Sequence, residues 1–216
     1  MPDYTFRNTK GSALTFNEAD NNFIASRAAS RLATASLLAP ASGAHISQQM
    51  CGSRVSSTVT AVADTIVLTP FQIAFDLTID QVVIRQFTVS PANTVDFRIL
   101  VYTADANGRP NSKNAETATV TSVQGSNTAA LSHTLDANTL YWVGVHYGTV
   151  TSSPQFDACA IENLLPLGLG TGLNTSAINC SISLGSTSLG SAPATWTFAT
   201  SQVGAAVPPT IGFRAA

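Results

Sequence analysis

From Arg54 onward, apolar and polar residues alternate with a period of two, the repeat of a strand that buries one face. Thr, Val, Ile and aromatic residues dominate these runs, as a pleated, half-buried surface favours. The alternation predicts strands near Val55–Val62, Thr65–Thr69, Ile73–Leu77, Gln81–Val89, Val95–Thr103 and Ala115–Val123. It predicts more near Ala129–Leu135, Leu140–Tyr147, Ala158–Glu162, Ala177–Leu184, Thr195–Ala199 and Pro209–Phe213. Short turn clusters separate the runs, and no helical pattern interrupts them. Many short strands without crossover helices imply antiparallel pairing in a β-sandwich or jelly roll. The stretch from Val95 to Gly148 carries the clearest strands. Phe97–Tyr102 has few charges and reads as a central strand. Asn107-Gly108 marks a tight turn, because both residues tolerate positive φ. Gly125-Ser-Asn127 and Asp136-Ala-Asn138 read as two further turns.

The period is different before Arg54. Thr15-Phe16-Asn17-Glu18 has the spacing of a capping box. Ala, Leu and Arg dominate Ala25–Leu38, which suits a helix. Phe16 and Phe23 lie seven apart, but Asp20, Arg27 and Thr34 interrupt a heptad seam. A single amphipathic helix that docks on a neighbour fits this pattern better than a coiled coil. Pro40 and Gly43 end it, and residues 39–53 read as a linker. The expected organisation is therefore a helical segment over 1–38, a linker over 39–53 and an all-β domain over 54–216.

Composition narrows the setting. Charged residues make up only 10% of the 216-residue chain, where soluble domains carry roughly 25%. Ser, Thr, Ala, Asn and Gly take their place. Such a surface lies against partner subunits, or it is hydrated through hydroxyls and amides. Ten basic and 12 acidic residues give a net charge of −2, with no basic run to neutralise phosphates, which argues against nucleic acid as a partner. No apolar run approaches the length of a bilayer span, so membrane insertion is not expected. The opening MPDYTFRNTK lacks the apolar stretch of a secretory signal. Cys51, Cys159 and Cys180 are too few and too widely spaced for a disulfide framework or a zinc site. A Cys159–Cys180 bridge stays open on sequence grounds.

Few patterns point to chemistry. Asp105-x-Asn107-Gly108 has the start of a calcium loop but lacks the downstream ligands, so a hairpin turn is expected. Gly168-x-Gly170-x-Gly172 lacks the flanking helix and Lys of a phosphate loop. His146, Asp157 and Cys159 are near in sequence without an oxyanion-type turn. The chain is therefore expected not to be an enzyme and to need neither cofactor nor metal. Tyr141–Tyr147 is the most informative run. On a strand, Tyr141, Val143, Val145 and Tyr147 face one side, and Trp142, Gly144 and His146 the other. If the Val side is core, Trp142 and His146 with the gap at Gly144 form a platform on which a sugar ring can stack. Trp196, and more weakly Phe156 and Phe198, are sites of the same kind. The competing reading covers Trp142 with another sheet, loop or subunit, because buried aromatics dominate β cores. His146 is then at the sheet surface or satisfied by a carbonyl.

Thr9-Lys-Gly-Ser-Ala-Leu-Thr-Phe-Asn-Glu-Ala-Asp-Asn-Asn-Phe23 resembles an N-terminal segment of tailed-phage virion proteins, of the form T-K-G-S-P-L-T-x-x-E-x-D-x-N-F. Ala13 stands in place of the frequent Pro. Phe97–Tyr102, Gly108-Arg-Pro110 and Leu140–Gly144 together resemble a β-sandwich unit of phage fibres and some bacterial surface proteins. The resemblances imply a virion protein of fibre or spike type, assembled in the host cytoplasm. Phe16, Glu18, Asp20 and Phe23 would attach it to other virion proteins, of capsid or tail. The β domain would be displayed outward, often as a homotrimer, for adhesion to host-surface glycan. The alternative is a purely structural capsid decoration, head-fibre base or tail adaptor without a receptor site. A bacterial carbohydrate-binding module and a depolymerase are weaker readings.

Overall fold

The computed structural model describes residues 40–47, 57–87, 94–150, 152–158, 181–204 and 209–216. The helix expected in the N-terminal segment, with Phe16, Glu18, Asp20 and Phe23, lies outside the described residues. So do the three cysteines and the Gly-rich run 166–176. Within the described residues the chain is all-β. The first strands are β1 (His45–Ser47), β2 (Ser57–Thr60), β3 (Ile66–Gln72), β4 (Leu77–Gln86), β5 (Val95–Ala104), β6 (Pro110–Glu116) and β7 (Val120–Thr121). They are followed by β8 (Gly125–Leu135), β9 (Leu140–Val150), β10 (Gln155–Ala158), β11 (Ser181–Leu184), β12 (Val203–Gly204) and β13 (Ile211–Ala215).

These strands form two antiparallel sheets. The first has six strands in the order β1-β13-β4-β10-β2, with β8 also paired to β4. The second has seven, in the order β12-β11-β3-β9-β5-β6, with β7 also on β5. Period-two alternation explains how they meet. Ile79, Val82, Ile84, Leu131, Phe156 and Phe213 point inward from the first sheet, and Phe71, Phe97, Ile99, Val143, Val145 and Tyr147 from the second, into one buried cluster. Phe71 stacks on Phe213 at 5.1 Å, and Tyr147 lies 5.6 Å from Phe156, so aromatic rings from both sheets fill the space between them. The arrangement is sandwich-like.

The strands of the second sheet bury both faces. Ile66, Leu68, Leu100, Tyr102, Trp142 and Ile182 form a second cluster on its outer side, closed by Ala192 and Trp196. The cover is the segment 185–199, which crosses the sheet as a strap. Thr187 N–H donates to the Asp64 carbonyl at 2.8 Å, Lys113 N–H to that of Ala194 at 2.8 Å, and Trp196 N–H to that of Asn111 at 2.6 Å. Tyr102 Oη donates to the Pro193 carbonyl at 2.7 Å, and Lys113 Nζ to that of Ala192 at 3.2 Å.

Several elements differ from expectation. Thr195–Ala199, read as a strand from alternating Trp196 and Phe198, belongs to the strap. Ile73–Leu77, read as a strand, is mostly the bend between β3 and β4, while β3 runs through Pro70. Gly125-Ser-Asn127, read as a turn, opens β8: Asn127 Oδ1 accepts from Val123 N–H and its Nδ2 donates to the Val123 carbonyl, so a turn-like local network starts a strand. The polar run Pro110–Glu116 is a strand because β5 supplies its ladder. The stretch read as linker contributes β1, whose Ile46 packs against the inter-sheet core.

Candidate functional site

The expected sugar platform is not at the surface. Trp142 is 3% exposed, Trp196 5% and His146 0%. The inner assignment of Tyr141, Val143, Val145 and Tyr147 agrees with the core cluster. The opposite side is covered by the strap, so a pyranose cannot reach Trp142, His146 or Trp196 in this fold. Trp142 Nε1 donates to the Gly108 carbonyl at 3.0 Å, and Trp196 Nε1 to Gln202 Oε1 at 3.1 Å. Trp196 packs edge-on to Tyr102 at 5.4 Å. Gly144 does not leave a gap. A Cβ there would fall on the Val67 carbonyl oxygen, so the β3 backbone fills the space a side chain would need. Phe156 is in the inter-sheet core, and the partly buried Phe198 packs against the outer cluster under the Arg109 guanidinium at 4.7 Å.

His146 Nε2 lies 2.8 Å from the Thr187 carbonyl, so it carries the proton and donates. Nδ1 has no partner. Burial holds this imidazole's pKa below its usual value, only partly offset by the Thr187 bond. His146 and Asp157 are not brought together: His146 lies under the strap, and Asp157 pairs with Arg85 on the other sheet. The Asp105 carboxylate is committed to its own turn. Its Oδ1 accepts from Asn107 N–H at 2.8 Å and Arg109 N–H at 2.9 Å, and Gly108 has φ of +77°.

A surface opening among the described residues lies elsewhere. A groove of about 320 Å³ lies on the outer face of the first sheet, at the low end of the range of roughly 300–1,000 Å³ usual for ligand pockets. Its floor is Val83 and Gly212, with the Ile46 backbone beside Gly212. Gly212 makes the room, because a Cβ there would sit 2.8 Å from Val83 Cγ1. Arg85 and Asp157 form the polar rim, with His45, Ser126 and Thr210 beside them. Arg85 Nη1 donates to Asp157 Oδ2 at 3.1 Å, and the two side chains are 61% and 13% exposed. The pair sets a fixed acceptor beside a donor with spare N–H groups, over an apolar floor. That chemistry suits recognition of a neutral, hydroxyl-bearing ligand. Further along the same face, Arg214 grips Asp80 through two bonds of 2.8 and 2.7 Å.

Sequence reasoning missed this site. Its signals were a lone Arg on the polar side of β4 and a Gly inside β13. The chain has no significant match among protein-family models, curated proteins or solved structures.

Proposed function

We propose that this chain is a virion structural protein of fibre or spike type, attached through residues 1–38 and displaying its two-sheet domain for adhesion to host-surface glycan. The attachment role rests on the Thr9–Phe23 segment and on the helix expected over Ala25–Leu38. The adhesion role rests on one geometric observation, the groove with the Arg85–Asp157 pair above the Gly212 floor. A hydroxyl-rich sugar can accept from Arg85, donate to Asp157 and lay its C–H face on Val83. Such a contact is weak singly, and many copies on one particle bind through effective concentration. Adhesion of this kind needs no bond making.

Binding of the full chain, clustered at particle-like valency on beads, to glycan arrays and host cells tests the proposal. Arg85→Ala and Gly212→Ala should each lower the bound fraction several-fold. If the wild-type chain captures no glycan and no host cell, the receptor role is wrong. The alternative, a capsid decoration, head-fibre base or tail adaptor, would then stand. The burial of both tryptophans, which leaves neither indole free to stack on a sugar, favours that alternative.

A further inference from the structure

The longest open strand edge in the described residues belongs to β8. It pairs with β4 along one side, with Ala130 opposite Gln81 and Gly125 opposite Gln86, and among the described residues no strand pairs with its other side. Among the described residues no backbone hydrogen bond joins that side to a loop, and only the His133 side chain reaches across, to Asn114 of β6. The strand is 11 residues long, Gly125–Leu135, and contains no Lys, Arg, Asp, Glu or Pro. An edge of this kind is a template for pairing, and soluble monomers guard against it with charge, Pro, short length or a cover. The other edges follow that rule. In the second sheet, β6 carries Lys113 and Glu116 and is covered by the strap through a Ser112–Thr195 bridge, while β12 has only two residues. In the first sheet, β1 has three residues and β2 four. The irregularity in β8 falls beyond Ala130, opposite Asp80, which leaves Gly125–Ala130 in regular register.

We infer that Ser126–Ala130 of β8 pairs antiparallel with the same segment of a second copy of this chain, across a two-fold axis near Thr128. The occupant is a second copy because the edge is self-complementary. Ser126, Thr128 and Ala130 are exposed, small and uncharged, so two copies meet without like charges or bulk. As described, over His45–Ser47 and Ser57–Thr60, β1 and β2 are too short to match β8 in a head-to-tail contact that would close a trimer. The inference does not depend on the adhesion reading.

Sedimentation equilibrium of the full chain over a concentration series, beside Thr128→Lys and Thr128→Glu, provides the test. The wild type should reach twice its 22.4 kDa mass. Each variant should need a concentration at least about tenfold higher to associate, because like charges then face each other across the axis. An equimolar mixture of the two should recover association. The exposed position keeps the variants folded, checked by circular dichroism, and Ala130→Lys gives a second reading if one is not. A monomer throughout, a threefold mass, variants that associate like the wild type, or a mixture that stays monomeric would each overturn the inference.

Discussion

Replacing Gly144 by Ala inserts one methyl where the fold has least room. The new Cβ would land on the Val67 carbonyl oxygen, 2.7 Å from Val67 C and 2.8 Å from Leu68 Cα. All three neighbours are backbone, so no rotamer change relieves the clash. Gly144 pairs with Leu68 on one side and Leu100 on the other, in the middle of the second sheet. The strands must therefore part. Parting weakens ladder bonds worth about 1 kcal/mol each and loosens the packing of Ile66 and Leu68. Together these put the loss at roughly 3–5 kcal/mol, a large share of the roughly 5–15 kcal/mol by which a domain is stable. At about 2–4 °C per kcal/mol for a chain of this size, Tm should fall by roughly 6–20 °C. Gly185→Ala is the control: nothing lies within 4 Å of its Cβ, so its effect should stay within about 0.5 kcal/mol. Urea and thermal unfolding of both variants, followed by tryptophan fluorescence, make the comparison. If Gly144→Ala melts within a degree of the wild type, the account of the β3–β9 approach is wrong.

Tyr102→Phe leaves the Pro193 carbonyl unsatisfied beneath the strap and should cost about 1–3 kcal/mol, seen as a lower urea midpoint and red-shifted tryptophan emission. Asp105→Ala removes an acceptor from two turn amides and should cost about 1–2 kcal/mol, read the same way. Stability should also depend on pH in two windows. Burial lowers the folded-state pKa values of His146 and His133, so their contribution is complete above the unfolded value near 6.5 and is lost as pH falls below it. Urea midpoints from pH 8 to 5 should decline accordingly, and His146→Gln should flatten the decline. Asp80 and Glu116, held below the usual carboxylate range by Arg214 and by Lys113 and Arg98 against the opposing effect of burial, act in a lower window. Their contribution is present above the unfolded carboxylate values near 4 and is lost in more acid solution.

The core of the fold was legible in particular residues. Period-two alternation put Val143, Val145 and Tyr147 on one face of β9, which the structure turns inward, and low charge marked Phe97–Tyr102 as central. The second layer was legible only in outline, as the reading that covers Trp142 with another sheet, loop or subunit; Leu100 and Tyr102 carried the same signal, because strands apolar on both faces are buried on both faces. What covers the outer side is set by a segment far along the chain, whose Trp196 and Phe198 imitate a strand. Local pattern cannot tell a covering strap from a paired strand, because both alternate. The groove was hidden for a similar reason. Arg85, Asp157 and Gly212 lie on three strands that are distant in sequence and adjacent only through the pairing order of the first sheet.

The pairing of β1 with β13 fixes a point of geometry that bears on labelling and fusion. Gly43 N–H donates to the Ala215 carbonyl, and Ala215 N–H to that of Ala44, at 2.8 and 2.9 Å. The chain therefore enters and leaves the domain side by side. A tag, fluorophore or peptide joined after Ala216 would therefore sit beside Gly43 and Ala44, at the β1–β13 edge.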